Sequence, residues 1–307
     1  MTSAVERKSI YTHITSSKRR TLVLMFLFVV LVSAVVEVIA LAVGLGWEAG
    51  IIALVPSGLF VLIGYYASSG LILAMSDAKP IRESDNPELY KSVENLCIGS
   101  GLPMPKIYII DDTALNAFAT GRDPKHASIA VTKGLLQKLD KLELEGVIAH
   151  ELSHIGNYDT RLMMVTVVLV GLVALLADLF LRYTWFGVGA RGRNRGKGEG
   201  AGGAVILVIA LVMAILAPIA AQLIRLAISR RREQLADASA ALLTRYPEGL
   251  ASALEKISRD QEPLEVANKA TAPLYISNPL KGHESWLNNL FSTHPPIQKR
   301  IAALRAM

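Results

Sequence analysis

The sequence has a single cysteine, Cys97, among its 307 residues. One cysteine cannot form an intramolecular disulfide, and it excludes a metal site built from several thiolates. This scarcity is consistent with a reducing compartment. Histidine is also scarce, with six residues in the chain, so a helical spacing of two histidines is uncommon by chance.

Aromatic and charged residues are few, at 6% and 19% of the chain, whereas hydrophobic residues make up 52%. Charged residues are almost missing from four blocks: residues 21–43, 51–75, 162–181 and 204–223. Each block has about the 20 residues that an apolar helix needs to cross a bilayer, where the backbone must satisfy its own hydrogen bonds. The blocks predict a mainly α-helical membrane protein with about four spans, rather than a soluble protein with buried core helices. Glu37 and Asp178 are the ionisable residues inside them and are candidates for a functional role that the sequence does not specify.

The start of the chain lacks the features of a cleaved signal peptide. The first apolar block begins only after residue 20, is longer than a signal-peptide core, and has no convincing small-residue cleavage site. We interpret it as a retained anchor. Lys18, Arg19 and Arg20 precede it, and positive charge favours the cytoplasmic side, so residues 1–20 are expected to form a cytoplasmic basic tail.

Residues 21–76 are expected to form a transmembrane hairpin that returns the chain to the cytoplasm. Residues 77–161 would then be the first half of a cytoplasmic domain. The net charge of +6 is explained by basic clusters beside the apolar blocks, and no nucleic acid is expected as a partner.

The second pair of blocks gives conflicting topology signals. A second hairpin over residues 162–228 would place residues 229–307 in the cytoplasm as the other half of the domain. Its Gly-rich loop, residues 182–203, carries five Arg or Lys residues and by the positive-inside rule should itself be cytoplasmic. Either the upstream helices override the rule, or these two blocks are packed within the protein or only partly inserted.

The two polar halves predict a domain of the α+β class. Strands are expected over residues 106–111, 116–121 and 128–132, with a turn at residues 121–124. A helix is expected to begin near Gly134, and another to run from Leu142 to Tyr158. The second half is expected to be largely helical, with prolines as breakers: Pro273, Pro279, Pro295 and Pro296.

The segment VIAHELSHIGNYD, residues 147–159, carries two histidines four residues apart. At that spacing His150 and His154 project from one face of a helix, where their imidazoles can bind one tetrahedral Zn²⁺. Glu151 can reach a water on the metal, whose pKa zinc lowers towards about 7, and can accept its proton. The alternative is a helix with two surface histidines, which the scarcity of histidine disfavours.

A catalytic zinc normally has a third protein ligand and one open position. The metzincin pattern requires glycine at position 157 and histidine at position 160, but this chain has Asn157 and Thr160. The other arrangement takes a glutamate from a later helix. Glu233 in SRRREQLADASA could ligate the metal, while Asp237, one turn on, accepts an N–H from a ligand histidine. From the residues alone, Glu233 could instead pair with a neighbouring arginine.

Three separated motifs, HELSHIGNYD, RREQLADASA and FSTHPPIQKRI, resemble the HtpX family of integral-membrane zinc metalloproteases, which is related to the CAAX prenyl endoproteases. The resemblance covers nearly the whole chain in family order and includes the hydrophobic layout. It implies a gluzincin-type domain with a small sheet. It also implies one Zn²⁺ per chain, held by His150, His154 and Glu233, with Glu151 as the base.

The resemblance extends to residues around the zinc. Asp237, Asn157 and Asp159 match polar residues of the family. His294 and Arg300 match its late histidine and arginine, for which we expect an electrophilic role as donors to the oxyanion of the tetrahedral intermediate. The alternatives are a capping or packing histidine and a surface arginine.

NAFAT, residues 116–120, resembles the family's edge strand beside the zinc. An extended peptide could pair with such an edge through its backbone. Asn116 and Ala117 are therefore the expected substrate contacts, and an ordinary internal strand is the alternative.

The sequence predicts a zinc endopeptidase that is multi-pass in a bacterial inner membrane, with its catalytic domain in the cytoplasm. The resemblance implies quality control of misfolded membrane proteins, with membrane-protein or unfolded polypeptide substrates and a role alongside the FtsH-type protease. A prenyl-peptide processing protease would need more helices to enclose a lipidated substrate. A non-catalytic metal-binding scaffold would not need Glu151, and a transporter would need charges in several spans.

Overall fold

A computed structural model describes residues 10–42, 47–171, 230–267, 271–277, 279 and 296–307. The third apolar block is described only as far as residue 171. The fourth block, the loop at 182–203, Asp178 and His294 lie outside the described residues.

Two long helices precede the polar domain and pack side by side: α1, Ile10–Ala42, and α2, Glu48–Met75. Their outer faces expose large apolar side chains, among them Phe26 and Ile52. Among the described residues, one stretch, Ile51–Met75, is long and apolar enough to cross a membrane, since 25 residues of helix extend about 37 Å. A spanning role of the other three blocks remains a prediction.

The described residues of the polar domain contain one four-stranded sheet in the order β1-β2-β4-β3. Its strands are β1, Ala78–Pro80; β2, Lys106–Ile110; β3, Ala117–Gly121; and β4, Ala127–Thr132. β2 and β4 run parallel, whereas β1 and β3 are antiparallel to their neighbours. The three predicted strands are confirmed. β3 lies at the edge, so the alternative of an internal strand is wrong.

Seven helices complete the described part of the domain: α3, Pro87–Ser100; α4, Lys133–Lys138; α5, Lys141–Gly156; α6, 159–171; α7, Arg230–Thr244; α8, Pro247–Arg259; and α9, Ile297–Arg305. The sequence analysis did not predict α3 or β1. The signals for α3 are present, because Asn86 accepts a hydrogen bond from the Leu89 N–H as the N-cap and Gly101 ends the helix at φ 69°.

The helix that carries the two histidines, α5, begins with a reciprocal cap. The Asp140 carboxylate accepts from the Glu143 N–H, and the Glu143 carboxylate accepts from the Asp140 N–H. The helix ends at Gly156, two residues before the predicted end, because Tyr158 adopts a left-handed conformation with φ 60°.

α5 lies in the middle of the main core, between the sheet and the later helices. Val147, Ile148 and Leu152 on α5 are fully buried in one cluster with Ile129 of β4 and Leu254 of α8. Burial of apolar surface on several sides of α5 fixes the histidine-bearing face relative to α7.

A second apolar cluster joins the end of α2 to the sheet. Ile72 of α2 packs with Phe118 of β3, Met164 of α6 and Tyr275. The predicted membrane hairpin is thus tied to the same edge of the sheet that lies beside α5.

Candidate active site

Three buried side chains from two helices converge on one point. His150 and His154 lie one turn apart on α5, and Glu233 lies in the first turn of α7. Their ligand atoms all lie within 4.8 Å of one another. The two histidine Nε2 atoms are 3.2 Å apart, and Glu233 oxygens lie 3.5 Å from Nε2 of His154 and 3.8 Å from Nε2 of His150.

Each histidine is held from behind by its own carboxylate. Nδ1 of His150 is 3.0 Å from Oδ1 of Asp237, and Nδ1 of His154 is 3.2 Å from Oδ2 of Asp159. In neutral imidazoles, a proton on each Nδ1 would leave the lone pair of each Nε2 available to a metal at the point where the two rings and Glu233 converge. Two imidazole nitrogens and a carboxylate fit a divalent cation such as Zn²⁺, and carboxylate-bound Nδ1 atoms are typical of metal-ligating histidines.

The local backbone explains how Asp159 reaches His154. After α5 ends at Gly156, the left-handed Tyr158 turns the chain, and Asp159 becomes the first residue of α6. The sequence analysis gave Asp159 only as a polar residue near the metal. In the structure it holds His154 as Asp237 holds His150.

The two histidines have opposite pKa shifts. Burial, followed by the charge of Arg300, lowers the pKa of His150 to about 4. Burial also disfavours the charged form of His154, but the hydrogen bond to Asp159 and the charge of Glu233 outweigh it and raise its pKa to about 9. A metal ligand must be a neutral imidazole at Nε2, so metal binding at this pair would be opposed by protonation of either ring.

Arg300 of α9 is buried behind His150, so the alternative of a surface arginine is wrong. It forms a two-pronged ion pair with Asp237: Nε donates to Oδ2 at 2.9 Å and Nη2 donates to Oδ1 at 2.7 Å. Burial works against ionisation of Asp237, but His150 and Arg300 lower its pKa to about 2. The same guanidinium also lies against two of the predicted ligands, with Nη2 3.3 Å from Nε2 of His150 and Nη1 3.6 Å from Oε2 of Glu233. The expected electrophilic role of Arg300 toward a substrate stays a prediction.

Glu151 is buried next to His150 on α5, and its charge contributes to the raised pKa of His154. Its carboxylate is therefore close to the point where the three ligand atoms converge. Asn157 is the buried C-cap of α5, and its N–H donates to the Ser153 carbonyl. It shapes the end of the histidine-bearing helix.

The edge strand β3 contacts a later segment of the chain, residues 271–277. The Ile276 N–H donates to the Ala117 carbonyl at 3.0 Å, and the Asn116 side-chain amide donates to the Ser277 carbonyl at 3.3 Å. Both predicted substrate contacts are buried under this segment. Their contact with a substrate remains a prediction, and it requires residues 275–277 to move aside.

The sequence analysis missed two residues that contact Asp159. The Ser17 hydroxyl of α1 donates to Oδ1 of Asp159 at 3.2 Å, and Nη1 of Arg232 lies 3.5 Å from the same oxygen. Arg232 directly precedes Glu233, which is a usable signal. Ser17 lies 142 residues before Asp159 in the sequence, and a lone serine carries no signal of such a contact.

The chain is similar to known peptidases. The profile of peptidase family M48 matches residues 83–307. The chain is 49% identical to the protease HtpX homolog of Dictyoglomus thermophilum, covering 97% of this chain and 94% of that one. It is 43% identical to the homolog of Lactobacillus helveticus, covering 97% and 100%.

Among solved structures, Ste24p of S. mikatae aligns with a TM-score of 0.49 at 18% identity, covering 89% of this chain and 61% of that one. The family match and the identity to the HtpX homologs span most of the chain. The chain therefore belongs to peptidase family M48, within its HtpX group of membrane-associated metalloproteases.

Proposed function

We propose that this protein is a zinc-dependent endopeptidase that cleaves membrane proteins at the cytoplasmic face of a bacterial inner membrane. The observation that carries the proposal is the buried group of His150, His154 and Glu233, in which both histidines are held at Nδ1 by carboxylates. Such a set suits zinc, which prefers nitrogen and carboxylate ligands in tetrahedral geometry.

His150, His154 and Glu233 would hold the zinc, which when bound would act as a Lewis acid toward the scissile carbonyl and make the attacking water more acidic. Glu151 accepts the proton of the attacking water and passes it to the departing amine. Asp237 and Asp159 keep both imidazoles in the tautomer that presents Nε2.

The edge of β3 is the proposed substrate-binding surface. Phe118 and Thr120 pair with β4, and the Thr132 N–H donates to the Asn116 carbonyl, so the alternate residues direct their backbone groups away from β4. This side of β3 is buried, so a substrate would reach it only when the residues that cover it move aside. The Ala117 carbonyl accepts from Ile276 and the Gly121 carbonyl from the Thr160 hydroxyl. Ala119, between them, is where an extended substrate would add as a further strand.

The proximity of the site to α2 supports membrane proteins as substrates. Tyr275, in the segment that covers β3, packs against Phe118, and its hydroxyl lies 3.0 Å from that of Ser76 at the end of α2. We further propose misfolded membrane proteins and unfolded polypeptides as the substrates, and action alongside an FtsH-type protease. These proposals rest on membership of the HtpX group.

The Glu151→Gln variant tests the reaction. It should keep one zinc per chain and lose cleavage of an unfolded polypeptide by about 10²- to 10⁴-fold, because the ligands remain while the base is gone. Zinc content and cleavage of the purified full chain are the measurements. Unchanged cleavage would overturn the mechanism.

Two further measurements test location and substrates. Reporter fusions at residues 77 and 229 should both report the cytoplasm, and a fusion in the 182–203 loop decides whether the second hairpin spans. Proteomics of membrane fragments in cells with the wild type against Glu151→Gln should identify membrane-protein fragments that need the active enzyme.

A further inference from the structure

Helix α1 contacts Asp159, the hydrogen-bond partner of the predicted ligand His154, near the amino-terminal end of the helix. Ser17 is 4% exposed, and its hydroxyl donates to Oδ1 of Asp159 at 3.2 Å. One residue on, Nζ of Lys18 lies 4.1 Å from the centre of the Tyr158 ring, a distance that suits a cation–π contact. Ser17 and Lys18 of α1 therefore contact Asp159 and Tyr158, which lie where α5 ends and α6 begins. This short stretch is called the α5–α6 link below.

The two oxygens of Asp159 have separate partners. Oδ1 faces the Ser17 hydroxyl and Nη1 of Arg232, and Oδ2 faces Nδ1 of His154. Asp159 is 1% exposed, so water cannot readily replace a lost donor. The hydrogen bond from Ser17, with the charge of Arg232 beside it, thus holds Oδ1 and keeps Oδ2 directed at the histidine.

We propose that Ser17 is a positioning residue for the metal ligand His154, acting through Asp159. The proposal rests on the proposed zinc site, which it extends into the first apolar helix. α1 would then complete the metal site in addition to anchoring the chain, so the site reaches its full zinc affinity only when α1 is docked on the α5–α6 link.

The test uses the full chain in detergent and two variants of Ser17 with a control in the same helix. Ser17→Ala removes the donor, and Ser17→Thr keeps a hydroxyl. Ser33→Ala is the matched control, because Ser33 is also buried in α1 and its hydroxyl has no hydrogen-bond partner among the described residues. The measured quantity is the Kd for zinc, obtained by competition with a chelator.

Ser17→Ala should raise the Kd for zinc by about 3- to 10-fold, less than the 10- to 100-fold typical of a direct partner of a ligand. Ser17→Thr and Ser33→Ala should stay within about 2-fold of wild type. At saturating zinc, kcat of Ser17→Ala should fall while KM is unchanged, since Ser17 does not lie on the β3 edge.

A double-mutant cycle tests whether Ser17 acts through Asp159. In the Asp159→Ala background, Ser17→Ala should change the Kd for zinc by less than 2-fold, because the acceptor is already gone. An undiminished effect there would overturn the proposal, as would equal Kd values for Ser17→Ala and Ser33→Ala. If Asp159→Ala does not fold, the comparison of Ser17→Ala with Ser17→Thr and Ser33→Ala decides.

The outcomes separate this proposal from the proposed function. A wild-type protein that binds zinc without cleaving polypeptides would contradict the function and leave the Kd comparison intact. A wild type that cleaves, combined with an unchanged Kd in Ser17→Ala, would overturn only the role of Ser17.

Discussion

The two histidines of the site are held by different parts of the molecule. His150 is bound by Asp237 of α7, which Arg300 of α9 holds in a buried two-pronged ion pair. His154 is bound by Asp159, whose other oxygen contacts α1 and α7. One ligand is thus positioned inside the polar domain, and the other depends on the contact between that domain and the predicted membrane hairpin. Mutations can therefore disturb the packing around Asp237 and the contact of α1 with Asp159 separately.

Removal of Arg300 should have the largest effect. Arg300→Met leaves Asp237 buried without its cation, and breaking a buried ion pair costs about 3–5 kcal/mol. We expect the free energy of unfolding, measured by denaturant titration in detergent, to fall by about that amount. Arg305→Met is the control on the same helix, because its pairs with Glu248 and Glu255 are exposed and screened by solvent and should contribute little to stability. Equal losses in the two variants would contradict the buried pair.

Loss of Asp159 should come next and should act on metal binding. Asp159→Ala removes the acceptor behind His154, so the Kd for zinc should rise by about 10- to 100-fold. Chelator competition gives the Kd, and metal-free unfolding gives the stability. A Kd equal to that of wild type would show that Asp159 does not position the ligand.

Much of the site could be predicted from the sequence because it follows local rules. The spacing of His150 and His154 fixes a shared helix face, and the strands follow their runs of β-branched and aromatic residues. Glu233 and Asp237 could be named as candidates from the residues, but the choice of Glu233 as a ligand over an arginine partner required the resemblance to a family, since its distance from the histidines in the chain is not encoded locally.

The remainder depends on tertiary packing. The covering of Ala117 by Ile276, the direction of the Arg300 donors and the contact of Ser17 with Asp159 each join distant segments. Single residues of common types give no pattern from which such contacts could be inferred. The end of α5 was predicted two residues late because a left-handed tyrosine carries no strong sequence signal.

Substitution of Gly146, which lies where α5 packs against α8, should have a smaller effect on stability. A Cβ at Gly146 would lie 2.7 Å from the backbone nitrogen of Leu250, where α5 crosses α8. Gly146→Ala should therefore lower the free energy of unfolding by about 1–3 kcal/mol through overpacking. Gly156→Ala, at the other end of α5, should change it by less than about 1 kcal/mol, because its Cβ would meet only Leu102 at 3.5 Å. Thermal or chemical unfolding of both variants measures the two changes. Equal losses of stability in Gly146→Ala and Gly156→Ala would contradict a close approach of α5 to α8 at Gly146.

The reactivity of the Cys97 thiol on α3 should depend on packing within the polar domain and not on the contact of α1 with Asp159. Burial, with a smaller contribution from Glu94, raises the pKa of Cys97 to about 11. The reactive thiolate is therefore scarce at pH 8, and alkylation of the native protein should be slow and should accelerate about 10-fold per pH unit below that pKa. The denatured chain is the control and should react as an ordinary thiol. Ser17→Ala should leave the native rate unchanged, and a faster rate would show that α1 also supports α3.

The central claim is that His150 and His154 of α5 and Glu233 of α7 together bind one zinc. X-ray absorption spectroscopy of the zinc-loaded full chain tests it most directly. We predict one zinc per chain with two imidazole nitrogens at about 2.0–2.1 Å and a carboxylate oxygen at about 2.0–2.2 Å. A spectrum without two imidazoles, or one that is unchanged in the His154→Ala variant, would contradict it.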